Sequence, residues 1–372
     1  MISVRQVVSR RDRKDFLDFP LGLYKGSPYY APPLYIDEKK IFSDSYVYAD
    51  TCESVYFNAY RDGKMAGRIS GIIQKAANEK NGEKRVRFIR FDCIEDFGVA
   101  EALFREVEAW ARAKGMDTVV GPLGFSDLER EGLLVEGFEY PATFEENYNY
   151  PYYKDFIERL GYVKEVDWTG SFLRPPGEDD GSIRKMADYV MRRYNLHIGE
   201  SRGTRDFLSR YADGIFALID KSYDQLYGTV PFSEGMKKLM LDNFTLIVDT
   251  RNVAVILDEN DNMVCFGIAF PAIGDALRKS GGHLYPGALV RLLKAIKHPS
   301  VIDLGLVGVD PEWLNRGVSV IVSAGLLGML ARPGVEYADT NLNLEDNYAI
   351  QNQWKRFDEQ KVKRYRAYVK KL

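Results

Sequence analysis

The 372-residue chain is poor in cysteine and histidine and carries no excess of either charge. Its three cysteines, Cys52, Cys93 and Cys265, lie far apart and show no C-x-x-C spacing. A disulfide framework is thereby excluded, and a reducing, cytoplasmic location is expected. The three histidines, His197, His283 and His298, are not paired at ligand spacing, so no metal is expected. Lys plus Arg number 51 against 54 Asp plus Glu, a net charge of −3. Nucleic-acid proteins carry a basic excess, so no nucleic-acid partner is expected. No stretch reaches the roughly 20 apolar residues of a membrane span, and no apolar run follows Met1. The chain also has neither a G-x-x-x-x-G-K-[ST] segment nor a G-x-G-x-x-G between strand and helix. What remains is a soluble, intracellular protein with no membrane partner and none of the common nucleotide loops.

The length favours two domains, since single cores rarely grow beyond about 250–300 residues. The best linker is Arg174-Pro175-Pro176-Gly177-Glu178-Asp179-Asp180-Gly181, whose prolines, glycines and acidic run cannot pack into a core. It predicts domains at 1–174 and 182–372. In the first, Val55–Tyr60 and Met65–Gln74 flank an Asp-Gly turn and read as a hairpin, and Arg85–Phe91 alternates as a strand. Val99, Leu103, Val107 and Trp110 then recur at helical steps until Gly115. A short strand at Val119–Gly121, a helix at Tyr152–Leu160 and a strand at Tyr162–Trp168 follow.

The second half repeats this order. Leu196–Glu200 reads as a strand and Arg205–Tyr223 as a helix. Phe244–Val248, Val253–Leu257 and Met263–Phe270 read as strands. Leu289–Ile296 is expected to be helical, Val301–Val309 a strand, Val318–Leu330 a helix and Tyr337–Leu344 a strand. A helix at Asn347–Phe357 and a strand at Lys363–Val369 close the chain. Two copies of one α+β unit account for the length better than two unrelated domains.

One segment carries chemistry: Val309-Asp310-Pro311-Glu312-Trp313-Leu314-Asn315-Arg316-Gly317-Val318-Ser319. A strand ends, a proline turns the chain, and a glycine precedes a strongly apolar helix. Gly317 lets backbone approach a ligand, the first helical N–H groups favour an anion, and Arg316 can bond a phosphate. The pattern suits a diphosphate.

With Val309, Pro311, Trp313, Gly317 and Val318 in these places, the segment resembles the coenzyme A pyrophosphate loop of the GNAT superfamily of acyl-CoA-dependent N-acyltransferases. Leu314, Asn315 and Ser319 depart from the family pattern. Asn341-Leu342-Asn343-Leu344-Glu345-Asp346-Asn347 resembles the fifth strand and following helix that flank pantetheine. The resemblance implies two tandem GNAT-like domains of α+β, three-layer sandwich type, with mixed, mostly antiparallel sheets flanked by helices. It implies acetyl-CoA or another acyl-CoA as cosubstrate, held by Leu314–Ser319 and by Asn341, Asn343 and Asn347. Backbone groups of Val307 and Val309 would pair with pantetheine and polarise the thioester. The family's thiolate-protonating tyrosine has its nearest substitute in Tyr348, since Trp354 is no acid.

Glu345 and Glu136 are candidate proton acceptors for the amine. Tyr148, Tyr150 and Tyr153 are candidates to line an acceptor groove for a small-molecule or peptide amine. In the first copy, Glu95-Asp96-Phe97-Gly98 places carboxylates where a diphosphate would sit, so that loop reads as degenerate. A monomer or homodimer that transfers an acyl group, most simply acetyl, by direct attack is the leading expectation. A non-catalytic GNAT-fold binding module and an aminoacyl-tRNA-dependent transferase are the alternatives.

Overall fold

The computed structural model describes residues 1–177, 180–224 and 226–372, with backbone alone at 246. Glu178 and Asp179 of the expected linker lie outside the described residues. Contacts divide the chain into two units: 1–169 with 274–288 and 363–372, and 170–273 with 289–362.

The first unit contains strands β1 (Ile2–Gln6), β2 (Cys52–Arg61), β3 (Lys64–Gln74), β4 (Arg85–Cys93), β5 (Thr118–Gly121), β6 (Leu133–Glu136) and the first part of β7 (Val163–Arg174). Its helices are α1 (Arg10–Leu23), α2 (Tyr35–Lys40), α3 (Lys75–Asn81), α4 (Phe97–Ala113) and α5 (Tyr152–Arg159). In the second unit are α6 (Ser182–Arg193), β8 (His197–Ile198), α7 (Thr204–Tyr223), α8 (Glu234–Ile247), β9 (Val253–Leu257) and β10 (Met263–Pro271). Two short-range helices follow, α9 (Gly274–Arg278) in the first unit and α10 (Pro286–Lys297), mostly in the second. The second unit continues with β11 (Val301–Val309), α11 (Ser319–Leu330), β12 (Tyr337–Asp339), β13 (Asn343–Leu344) and α12 (Tyr348–Trp354). The last strand, β14 (Asp358–Lys371), gives residues 363–371 to the first unit.

Each unit is a mixed sheet with helices against it. In the first, β1-β2-β3-β4-β5-β14 are neighbours, antiparallel throughout except for parallel β4 and β5. In the second, the order is β7-β12-β11-β10-β9-β8, with only β11 and β12 parallel. The hairpin predicted around Asp62-Gly63 is β2–β3, closed by positive φ at both turn residues.

Helix α4 follows the sequence pattern. Val99, Ala100, Leu103, Phe104, Val107 and Ala111 are buried on one face, and Gly115 stops the chain at φ 71°. Phe104 is fully buried and meets Phe88, Phe91 and Tyr162 edge-on at 4.9–5.1 Å. In the second unit α11 is apolar all round because it is covered on most sides, with Val320, Ile321, Leu326, Leu327 and Leu330 buried.

Two sequence expectations are corrected. Phe244–Val248 is not a strand: Phe244 to Ile247 end helix α8, which starts at Ser233. The Ser233 hydroxyl accepts from Met236 N at 3.2 Å and caps it. Buried Met236, Met240 and Phe244 recur every four residues, so the apolar tail belongs to a helical period that began upstream. Tyr337–Leu344 is likewise interrupted, because Asn341 turns at φ 51° between β12 and β13.

Truncating Phe104 to Ala leaves a cavity in the first unit's core. The expected cost is about 3–5 kcal/mol of unfolding free energy, measured by chemical denaturation.

Candidate functional site: two parted strand pairs

The second unit's sheet opens in its middle. Parallel β11 and β12 pair only over Val301–Asp303 and Tyr337–Asp339. Opposite β10, β11 also slips register between Ile268 and Ala269, a bulge that turns the strand. Beyond Asp303 the β11 edge has lost its partner strand, and its backbone groups must be satisfied otherwise. Asn341 Nδ2 donates to the Leu304 carbonyl at 2.6 Å. The Tyr223 hydroxyl, at the end of α7, donates to the Val307 carbonyl at 3.0 Å and accepts from the Val307 N–H at 3.3 Å. Tyr223 was not picked out from sequence, where it marked only the end of a helix.

Past Val309 the chain makes a 3₁₀ turn over Pro311–Arg316, capped by Asp310, whose Oδ1 accepts from Glu312 N at 3.0 Å. Gly317 takes the left-handed conformation, φ 75°, and α11 begins without a side-chain cap. Its Val320 and Ile321 amides donate instead to the Gly317 and Val318 carbonyls, at 3.1 and 3.0 Å, in tight-turn bonds that a ligand would have to share or displace. The Arg316 guanidinium lies 4.4 Å from the Trp313 ring centroid and 5.8 Å from that of Tyr194. Leu314, Asn315, Arg316 and Gly317 are exposed, Val318 is buried and Ser319 half-buried.

The Asn-rich segment has mostly local duties. Asn341 is buried, Asn343 Nδ2 donates to the Thr340 and Asn341 carbonyls, and Asn347 caps α12 by accepting from Ile350 N. Glu345 is half-buried, and Tyr348, at the start of α12, is exposed.

The first unit opens in the same way. Parallel β4 and β5 pair over Arg85–Arg87 and Thr118–Val120, then part after Gly121. The register of β4 on β3 slips beside Arg90, whose φ is 54°. Here tyrosines close the exposed edge. The Tyr153 hydroxyl accepts from Cys93 N at 2.8 Å, and Tyr152 donates to the Cys93 carbonyl at 2.7 Å. Tyr148 and Tyr150 pack on Tyr24 behind them, at 5.7 and 5.1 Å. All these predicted groove tyrosines sit inside the first unit. The helix after β4 is also closed: the Asp96 carboxylate caps α4 through Gly98 N at 2.9 Å. Glu136 is exposed on β6 and pairs with Arg364 at 3.3 Å.

No family model matches the chain. Protein YghO of Escherichia coli K12 is 27% identical over 99% of this chain and 95% of its own length. The bacterial ceramide synthase of Caulobacter vibrioides is 26% identical over 84% of this chain and 81% of its own. A tandem GNAT protein from the clavulanic acid biosynthesis pathway, solved without AcCoA, superposes over 100% of this chain and 98% of its own with a TM-score of 0.57 at 12% identity. The chain has a tandem GNAT fold. Each unit thus contains one GNAT-like sheet with its parted parallel pair, and no described helix is long and apolar enough to cross a membrane.

A second set of groups, missed from sequence, lies past the first opening. Arg90 forms a two-pronged ion pair with Glu38, 3.0 and 2.9 Å, and this holds the Glu38 carboxyl down at about 2 despite burial. Glu145 sits on the loop beyond. Burial, and then the neighbouring Glu146, push its carboxyl up to about 7, with Arg130 pulling the other way. A carboxyl raised in the folded state stabilises it most below its unfolded value and loses that contribution as pH rises through about 7. Glu145→Gln removes the charged form at little change of shape. The variant is expected to gain on wild type by roughly 1–2 kcal/mol near pH 8, with the gap closing below about pH 5. Melting temperatures of both proteins across that range measure it.

Proposed function

We propose that the protein is an acyl-CoA-dependent N-acyltransferase whose donor site is the open strand pair and loop of the second unit. The observation that carries this reading is the uncapped start of α11 beside exposed Arg316 and Gly317, directly after a parted β11. Helix amides and a guanidinium gathered at one turn suit the pyrophosphate of coenzyme A. The pantetheine arm would pair along β11 at Val307 and Val309, with Asn341, Asn343 and Asn347 framing the opposite side. The tandem GNAT fold of a solved relative supports the reading.

The name of a curated relative supports a reading of the acceptor. One such protein is named a bacterial ceramide synthase, and a ceramide is an amide between a fatty acyl group and a long-chain amine. We assign this chain the same chemistry: a long-chain acyl-CoA as donor and a long-chain amine as acceptor. The amine nitrogen attacks the thioester carbonyl carbon, the C–S bond breaks, and the thiolate leaves with the electron pair. The amine proton passes to a base and the thiolate takes a proton, so amide and free coenzyme A are the products. Glu345 and Tyr348, on the chain just past β12, are assigned these two proton roles. The β11 amides oppose the charge that develops on the carbonyl oxygen.

Isothermal titration of the full chain with acetyl-CoA and a long-chain acyl-CoA tests the donor site, and saturable heat at micromolar to millimolar ligand is expected. Absence of heat for both at millimolar concentration removes this reading. Arg316→Gln should weaken binding about threefold to tenfold, more at low salt than at high.

A second reading, a non-catalytic binding module, is favoured by one observation: Tyr223 already holds both backbone groups of Val307. A pantetheine arm must take over those two bonds. Under the enzymatic reading Tyr223→Phe frees the edge and tightens acyl-CoA binding about threefold to tenfold, the worth of one hydrogen bond. Unchanged binding in that variant favours the module.

A further inference from the structure

Helix α10 is apolar on two sides. Ala288 and Leu292, both 2% exposed, face the protein and hold the helix down. The residues that lead into it are held as well: Tyr35 N donates to the Gly282 carbonyl at 3.0 Å, and the His283 ring lies 4.3 Å from that of Tyr35. The outer face of such a helix should be polar, as on the surface of a water-soluble domain. It is not. Pro286, Leu289, Val290 and Leu293 follow one another at i, i+3, i+4 and i+7 and are all exposed, Val290 by 67% and Leu293 by 52%. Leu284 and Tyr285, just before them, are exposed too, and no other stretch of ten described residues exposes more than two large apolar side chains. A patch of this kind marks a surface that something covers.

Charge says what covers it. Between Asp275 and Asp303 the chain has no acidic residue, yet Arg278, Lys279, Arg291, Lys294 and Lys297 all fall there, in a protein whose net charge is −3. Arg278 and Lys279 pair with Asp275. No carboxylate among the described residues pairs with exposed Lys294, which flanks the apolar stripe, or with exposed Lys297, which ends it. A second copy of the chain would bring the same lysines together with no carboxylate in the patch to meet them. An anionic bilayer answers both halves of the surface: its phosphates meet the lysines, and the boundary of its acyl chains takes the leucines and valine. Exposed Tyr285 is of the residue type that settles at a membrane–water boundary. No described helix is long and apolar enough to cross a membrane, but a helix that lies in the interface needs no such character. The expectation of no membrane partner is drawn from spans alone.

We propose that α10 is an interfacial helix by which the protein docks on a bilayer surface rich in anionic phospholipid, with Leu289, Val290 and Leu293 entering between headgroups and acyl chains and Lys294 and Lys297 meeting lipid phosphates. From Leu289 onward these residues belong to the second unit. The inference rests on the outer face of α10 and not on the donor site, so either can fail alone. A long-chain amine, the acceptor class proposed above, dissolves in the same surface.

Co-sedimentation of the full chain with vesicles tests it, using phosphatidylcholine alone and equal parts of phosphatidylcholine and phosphatidylglycerol. Binding to the mixed vesicles is expected to be about fivefold or more tighter than to phosphatidylcholine alone, and to weaken as salt rises from about 0.05 to 0.5 M. Val290→Gln combined with Leu293→Gln should weaken binding to mixed vesicles by about tenfold or more and leave the melting temperature unchanged, because both side chains are exposed in the free protein. Lys294→Gln combined with Lys297→Gln should remove most of the preference for phosphatidylglycerol. No binding to mixed vesicles, equal binding to both kinds, or binding that neither double variant weakens would each overturn the proposal. So would light scattering that shows a dimer in solution split into monomers by the Val290→Gln and Leu293→Gln pair, since a second copy would then cover the face.

Discussion

A sheet that parts two of its strands must still satisfy the backbone groups it uncovers, and this requirement governs both units. Buried N–H and C=O groups without partners cost about 1–3 kcal/mol each, so a parted edge is stable only if side chains, water or a ligand complete it. Where β4 leaves β5, two tyrosine hydroxyls complete Cys93, and Tyr24 behind them donates to Asp92 at 2.9 Å. Asp92 is in turn bound to Arg68 at 2.7 Å. The closure is backed by a buried network that would have to be taken apart to admit another chain of atoms. In the second unit the closure is lighter, with one tyrosine and one asparagine side chain on β11. Replacing them costs a ligand far less.

The helix that follows each parted strand obeys the same logic. An N-terminus offers several amides and a partial positive charge. Asp96 meets that demand internally for α4, and its other oxygen is shared with Arg61 at 3.4 Å. For α11 no side chain does so, and the residues leading into it are exposed. One architecture therefore yields a helix capped by a side chain in the first unit and one closed only by its own turn in the second. A single aspartate at the cap makes much of that difference.

How much of this could be read beforehand depended on whether the signal was local. The α4 stripe, the Asp62-Gly63 hairpin and the turn into α11 are written in consecutive residues, and each formed where its periodicity or turn chemistry placed it. Phe244–Val248 misled because five apolar residues have the same appearance in a strand and at the end of a helix; the deciding cap, Ser233, lies a dozen positions upstream. The carboxylates at Glu95-Asp96 were read as repelling a diphosphate, and the structure adds that Asp96 spends its charge capping α4. Tyr223, Arg90 and Arg130 were illegible for a different reason. Tyr223 meets Val307 across 84 positions and Arg90 meets Glu38 across 52, while Arg130 bonds a loop carbonyl 14 positions on, and no local pattern records such meetings. The tyrosines near 150 were visible as a cluster, but whether a phenol faces a groove or a backbone carbonyl depends on a strand 60 residues away.

Divergence between the two copies has a thermodynamic direction. A site that binds a ligand leaves donors unspent in the free protein, and each unspent donor lowers stability until the ligand arrives. At its parted edge the first unit spends backbone groups on its own side chains, Cys93 on two tyrosines and Gly98 N on Asp96, and a buried donor left over there is Arg90 Nη1 rather than an amide. A guanidinium keeps its charge at any physiological pH, so its shortage of acceptors cannot be relieved by a change of protonation, whereas Glu145 escapes its own buried charge by holding its proton. Arg90, paired with Glu38 yet keeping one buried nitrogen without an acceptor, costs more than an apolar pair of similar volume would in the same space.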